Sequence, residues 1–243
     1  MLPRSLLLML ALASLTGSAL AQAMMHMPPP RTISVTGAAE RQVPPDLAFA
    51  AVAIETQART VADAVAQNNT ISTRIIAAIR ALNIPNLTVR TLTFDVQPVY
   101  EQQRPGTTTP PRVTGYRVIN RVQARIPDAD ADRLATNVGR VLDAALNAGA
   151  NRVDQVTFDL QDPLRMQREI AADAVRNARE TAMALAAAAG VQLGPLQTLS
   201  IAPVYRPLMA QARAADLAAA PGVPIVAGPL TFTATVSAVY LIQ

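Results

Sequence analysis

The chain has 243 residues, 51% of them hydrophobic, a formal net charge of +4, no Cys and a single His. That length suffices for one well-buried domain or two small ones, and the lack of Cys excludes disulfides, zinc–thiolate and iron–sulfur sites and thiol catalysis. All 21 basic residues are Arg, which removes lysine Schiff-base chemistry and any phosphate-loop lysine; they alternate with acids instead of clustering among aromatics, so nucleic acid is not an expected partner.

Residues 1–21 carry Arg4, an apolar run from Leu6 to Leu15, and small residues ending Ala19-Leu20-Ala21. This order predicts a cleaved secretory signal peptide, shorter than the roughly 20 apolar residues of a membrane span, and a periplasmic or otherwise extracytoplasmic location. No later stretch reaches spanning length without a charge or a proline. Residues 22–31 form a Met- and Pro-rich tail, predicted to be disordered. Cleavage after Ala23, the alternative to Ala21, would leave His26 third in the mature chain. The terminal amine, two amides and the imidazole would then suit square-planar Cu(II) or Ni(II), with Met24 and Met25 as thioether donors for Cu(I). No other cofactor is expected.

Residues 32–243 make up the predicted domain. Ile33, Val35 and Gly37 alternate with polar residues as a first strand. Residues 46–56 are apolar on both faces, as in a covered central strand. Thr60 with Asp63 reads as a capping box, and Val61, Val65, Ile71, Ile75, Ile79 and Leu82 draw the apolar stripe of a helix that closes before Pro85. A strand over 87–100 leads through a Pro-rich hairpin loop, 101–112, into a strand over 116–126. There Tyr116, Val118, Val122, Ala124 and Ile126 face inward, while Arg117, Arg121, Gln123 and Arg125 face outward. Asp128, Asp130 and Asp132 open a second amphipathic helix, which Gly149 ends. A strand over 153–160 follows. Asp162-Pro163 then starts a long Ala-rich helix running to Gly190. The chain closes with a strand from Leu196, a long loop over 206–228 and a strand over 230–242.

TLTFDVQPVY at 91–100 and LQTLSIAPVY at 196–205 echo one another, each following a helix and preceding a Pro-rich loop. They suggest two degenerate, ferredoxin-like β-α-β-β units around a shared middle helix. The fold class expected is α+β, a mostly antiparallel sheet of about seven strands with three helices packed on one face.

The pieces Ile33-Ser34-Val35-Thr36-Gly37, Pro45-Asp46, Gly115-Tyr116-Arg117, Leu142-Asp143-Ala144-Ala145-Leu146, Gly149-Ala150-Asn151-Arg152-Val153, Asp162-Pro163 and Ala189-Gly190-Val191 together resemble the SIMPL-domain family, over nearly the whole mature chain. The resemblance implies a secreted or periplasmic envelope protein, of the kind named periplasmic immunogenic or oxidative-stress defence protein. A stress-protection role is implied by the resemblance alone, and no catalytic motif accompanies it.

The residues themselves leave little room for an enzyme. The only His is His26 in the tail, so a Ser-His-Asp site in the body is excluded. Asp128, Asp130 and Asp132 are better read as helix-capping acids than as metal ligands, and Met166 and Met183 as core filler. Arg117, Arg121 and Arg125 form a row on one strand face that suits carboxylates of another subunit or an anionic envelope polymer, set against the plainer reading of a solvated sheet face. The function expected is self-assembly into a homo-oligomer or binding of envelope components; the alternative is copper or oxidant handling through the tail.

Overall fold

A computed structural model describes residues 30–102, 110–202 and 225–243. Its elements run β1 (Thr32–Val43), β2 (Leu47–Ala58), α1 (Val61–Arg80), β3 (Thr88–Tyr100), β4 (Val113–Pro127), α2 (Ala131–Asn147), β5 (Arg152–Asp159), α3 (Pro163–Ala188), β6 (Leu193–Ile201) and β7 (Leu230–Ile242). The α+β class and the three helices are those the sequence predicts. The seven strands, however, divide into two sheets, ordered β3-β4-β2-β5 and β1-β7-β6.

Those orders carry the duplication. The hairpin β3-β4 has β2 beside β4, and the hairpin β6-β7 has β1 beside β7. The second unit thus borrows its flanking strand from the start of the chain, while β5 pairs with the free side of β2. This exchange is why seven strands of similar pattern do not line up in one sheet.

The chain divides into two compact units. The larger comprises Ala38–Ala174 with Ala202–Thr235. In it α1 and α2 pack on β2 and β4. The core gathers Val52, Ile54, Ile75, Ile79, Val122, Ile126, Leu134, Val138 and Val141, and each such aliphatic side chain contributes about 1.5–3 kcal/mol on full burial. As the sequence predicts, β2 is buried on both faces. Ala48, Ala50, Val52 and Ile54 meet the helices, and Ala51 and Ala53 are covered on the other side. The smaller unit comprises the described residues up to Gly37, Val175–Ile201 and Val236–Gln243. Its core is made from Val35, Ala178, Ala182, Ala238 and Tyr240.

Helix boundaries follow the local chemistry. The Thr60 hydroxyl accepts from the Asp63 N–H at 3.2 Å and donates to the Asp63 carboxylate at 2.7 Å. Asp130 accepts from the N–H groups of Asp132 and Arg133, and Asp162 from that of Arg165 at 2.9 Å. At the other ends Gly149 (φ +113°) and Gly190 (φ +69°) let the chain turn back. There the Ala150 and Val191 N–H groups reach the Ala145 and Ala186 carbonyls, a paired closure that favours glycine in the left-handed region. Replacing Asp130 by Ala removes the two capping bonds of α2 and is expected to cost about 1 kcal/mol. Urea unfolding checks this; an unchanged midpoint would show that water caps the helix equally well.

Candidate functional site

The richest cluster of charge lies on the face of the four-stranded sheet away from α1 and α2. Register puts Arg117, Arg121 and Arg125 of β4 opposite Gln57, Ala53 and Phe49 of β2 and opposite Gln97, Thr93 and Thr88 of β3. All three arginines therefore do share one face, as the alternation in the sequence predicts. Their environments differ. Arg117 Nε lies 3.0 Å from Glu55 Oε1, close enough for an ion pair but without hydrogen-bond alignment. Glu55 in turn meets Arg152 at 3.9 Å, and Arg152 donates to Asp154 at 2.6 Å. Asp154 accepts from Arg121 Nε at 2.9 Å, and Arg121 Nη1 also reaches Thr93 Oγ1 at 3.2 Å. The result is a continuous chain, Arg117–Glu55–Arg152–Asp154–Arg121. Arg125, half-buried, has no ion pair among the described residues.

Beside this chain the ladder between β2 and β5 is extended by a side chain. Asn151 accepts from the Glu55 N–H at 2.9 Å and donates to the Glu55 carbonyl at 2.8 Å. Those two bonds hold Glu55 in place beside a small cleft of about 290 Å³ lined by Glu55, Thr56, Gln57, Asn151 and Arg152. The chemistry on offer is recognition by guanidinium and carboxylate groups. Among the described residues no cluster of three or more His, Asp or Glu is placed to hold a metal ion.

Of the three aspartates at the start of α2, Asp128 and Asp130 accept backbone N–H groups ahead of the helix, and Asp132 lies in its first turn. Asp128 accepts from the Asp130 N–H at 3.0 Å and from Arg133 at 2.7 Å. The Arg133 hydrogen bond, outweighing partial burial, holds the Asp128 carboxyl below its ordinary pKa. Its contribution to stability is accordingly present above the usual carboxylate range and lost as the pH falls through the lowered value.

Met24, Met25 and His26 lie outside the described residues, as do residues 1–21 and 206–224 of the long loop. Ile225, just beyond them, packs against the larger core. Met183, expected as core filler, is instead 53% exposed. The buried face of α3 in the smaller unit consists of Ala178, Ala182 and Ala186, and a side chain as long as Met is displaced to the flank.

Two features escape the hydrophobic pattern. The first is a buried polar network between α1, β2 and β4. The Asn68 amide, fully buried, donates to the Ile54 carbonyl at 3.0 Å and to Thr56 Oγ1 at 3.3 Å. Thr56 donates to the Ala64 carbonyl at 2.9 Å, Ser72 to the Asn68 carbonyl at 2.8 Å, and Asn120 Nδ2 to Ser72 Oγ at 2.8 Å. The buried stripe of α1 is therefore Ala64, Asn68, Ser72, Ile75 and Ile79. Val61, counted in the stripe by periodicity, is exposed. The signal that could have found this is spacing: Asn68 and Ser72 fall at i+4 and i+8 from Ala64. The second is a groove of about 630 Å³ in the smaller unit between α3 and β6.

With this geometry in place, comparison with known proteins is informative. The model of the family described as "SIMPL: Protein of unknown function (DUF541)" matches residues 33–240. A 26 kDa periplasmic immunogenic protein of Brucella abortus is 31% identical over 220 residues, 88% of this chain and 86% of the relative. Its namesake in Brucella melitensis is 30% identical over the same shares. An uncharacterized protein, YggE, of Edwardsiella ictaluri is 25% identical over 69% of this chain and 66% of its own.

Proposed function

Because the chain belongs to the SIMPL family, whose Brucella members are named periplasmic proteins, we propose that it is a non-enzymatic extracytoplasmic envelope protein. It works by associating with copies of itself and with anionic envelope components, in the service of stress protection. The observation that carries this reading is the free edge of β3. Among the described residues this 13-residue strand ends its sheet. Its Phe94 and Val96 lie opposite Asn120 and Val118, on the face that the helices cover elsewhere. Because α1 packs over β2 and β4, Phe94 stays 46% exposed and Tyr100 54%. An unpaired edge with apolar side chains beside it is a template for pairing with another strand, and a second copy of β3 satisfies both the backbone and the aromatic rings.

The arginine face is the second surface. Since Arg117 and Arg121 already have carboxylate neighbours, Arg125 is the guanidinium most available to an envelope anion, with the other two supporting its field. Leu92 and Phe94 are both exposed, so Leu92→Lys/Phe94→Lys keeps the core intact while placing charge on the edge. Sedimentation is expected to show assembly for the wild type and single chains for the double variant. A wild type that runs as a monomer at micromolar concentration ends the assembly reading. Arg125→Gln is expected to weaken retention on an anionic polymer more than Arg121→Gln; equal retention of both variants and the wild type would return the row to a solvated sheet face.

A further inference from the structure

We propose that the groove between the second half of α3 and β6 binds a long-chain carboxylate, with the acyl tail lying along the strand and the head group on Arg179. This site is separate from the β3 edge and the arginine face, and does not depend on them.

Three strands at about 4.8 Å spacing span more width than one helix of about 10 Å can cover. The helix α3 lies on β1 and β7, its Ala178 and Ala182 meeting Val35, Ala238 and Tyr240. Among the described residues no helix covers the outer strand β6. Leu196, Leu199 and Ile201 stand in register with Tyr240, Ala238 and Val236, which are buried, yet all three remain exposed. From Leu196 to Ile201 this apolar row extends about 17 Å, the scale of an extended acyl tail.

The groove, which Leu196 at the start of that row helps to line, measures about 630 Å³, within the roughly 300–1,000 Å³ of sites that hold small molecules. Val175 and Met183 form one wall, Leu193 and Leu196 the other, and Tyr240 lies between them. Arg179 falls one helical turn from both Val175 and Met183 and is, among the described residues, the only charged group in the lining. It has no ion pair or hydrogen bond among the described residues. A guanidinium is weakly hydrated and takes a carboxylate in two parallel hydrogen bonds, so an anion beside an apolar wall is the complement it calls for. A peptide in the same place would bring amides that so apolar a lining leaves unsatisfied, at a cost in desolvation. An acyl chain carries no such groups.

The test is titration of the purified chain with tetradecanoate below its micelle concentration, and with tetradecanol as the uncharged arm. Arg179 and Met183 are both exposed, so Arg179→Gln and Met183→Glu are expected to fold normally, as circular dichroism will show. Saturable binding of tetradecanoate is expected, weakened at least tenfold by Arg179→Gln while tetradecanol binding is unchanged, and abolished by Met183→Glu. Absence of saturable binding in the wild type overturns the proposal. So does equal binding by both variants, or capture of phosphatidylglycerol vesicles without any binding of the free acid. If Met183→Glu dissociates an assembly while neither amphiphile binds the wild type, the groove belongs to a second copy and the proposal again fails.

Discussion

Replacing Asn68 by Leu is expected to destabilise the protein by about 3 kcal/mol, counting the two hydrogen bonds its amide donates at about 1 kcal/mol each and a polar group stripped of its partner in a buried site. For a chain of this size that is a fall of roughly 6–12 °C in the melting temperature. The Asn68 amide joins α1 to the Ile54 carbonyl and the Thr56 hydroxyl on β2, and a leucine, with the same branching, faces both with methyl groups. Asn120 provides the contrast. Its Oδ1 is buried and has no hydrogen-bond partner, so Asn120→Val loses one bond to Ser72 but also removes an unsatisfied atom; its net cost is expected to stay within about 1 kcal/mol. Calorimetry on the two variants decides the matter. If Asn68→Leu melts no lower than Asn120→Val, the network does not hold the helix to the sheet.

Enlarging Ala182 to Leu is the second large effect. In the smaller unit α3 approaches its sheet through methyl groups alone: Ala178 and Ala182 are completely buried and Ala186 nearly so. A leucine at 182 has to push the helix off Val35 and Ala238 or take a strained rotamer. Overpacking of this kind costs typically 1–3 kcal/mol, and a contact surface built only from alanine puts the expected value near the upper end. Ala184→Leu, on the exposed side of the same helix, is the control and is expected to stay within about 0.5 kcal/mol. Guanidinium unfolding of both variants checks this. Equal midpoints would mean that the helix–sheet contact is loose enough to absorb three extra carbon atoms.

These two predictions mark where the sequence speaks and where it falls silent. Alternation in 116–126 places the three arginines on one face, and the caps at Thr60, Asp130 and Asp162 and the stops at Gly149 and Gly190 fall where local chemistry puts them, because each depends on residues a few positions apart. The split into two sheets was not legible, since pairing β7 with β1 in place of β5 is a choice between distant strands of similar pattern. Nor was the polar stripe of α1. Periodicity counts apolar residues, and a buried Asn and Ser look like solvent-facing ones until the strand beneath supplies their partners. The arginine row was visible but its pairing was not. Glu55, Asp154 and Arg152 come from β2 and β5, and only the register brings them within reach. Met183 was misread as core because an alanine-rich helix gives periodicity little contrast to work with.

The order of the smaller sheet also bears on when the protein can fold. Strand β7 is the neighbour of both β1 and β6, and the Ile242 N–H bonds to the Arg31 carbonyl at 3.1 Å, nearly the full length of the chain away. As the polypeptide emerges from the ribosome, β1 comes out well before β7 and waits without its partner until that strand has been made. Contacts so distant in sequence are slow to close. The larger unit can gather α1, α2 and the strands β2 to β5 beforehand, whereas the smaller one stays open until β7 arrives. A nascent chain in which β7 has yet to be made would hold two orphaned strands, long enough for a chaperone or a translocation machine to take hold of it.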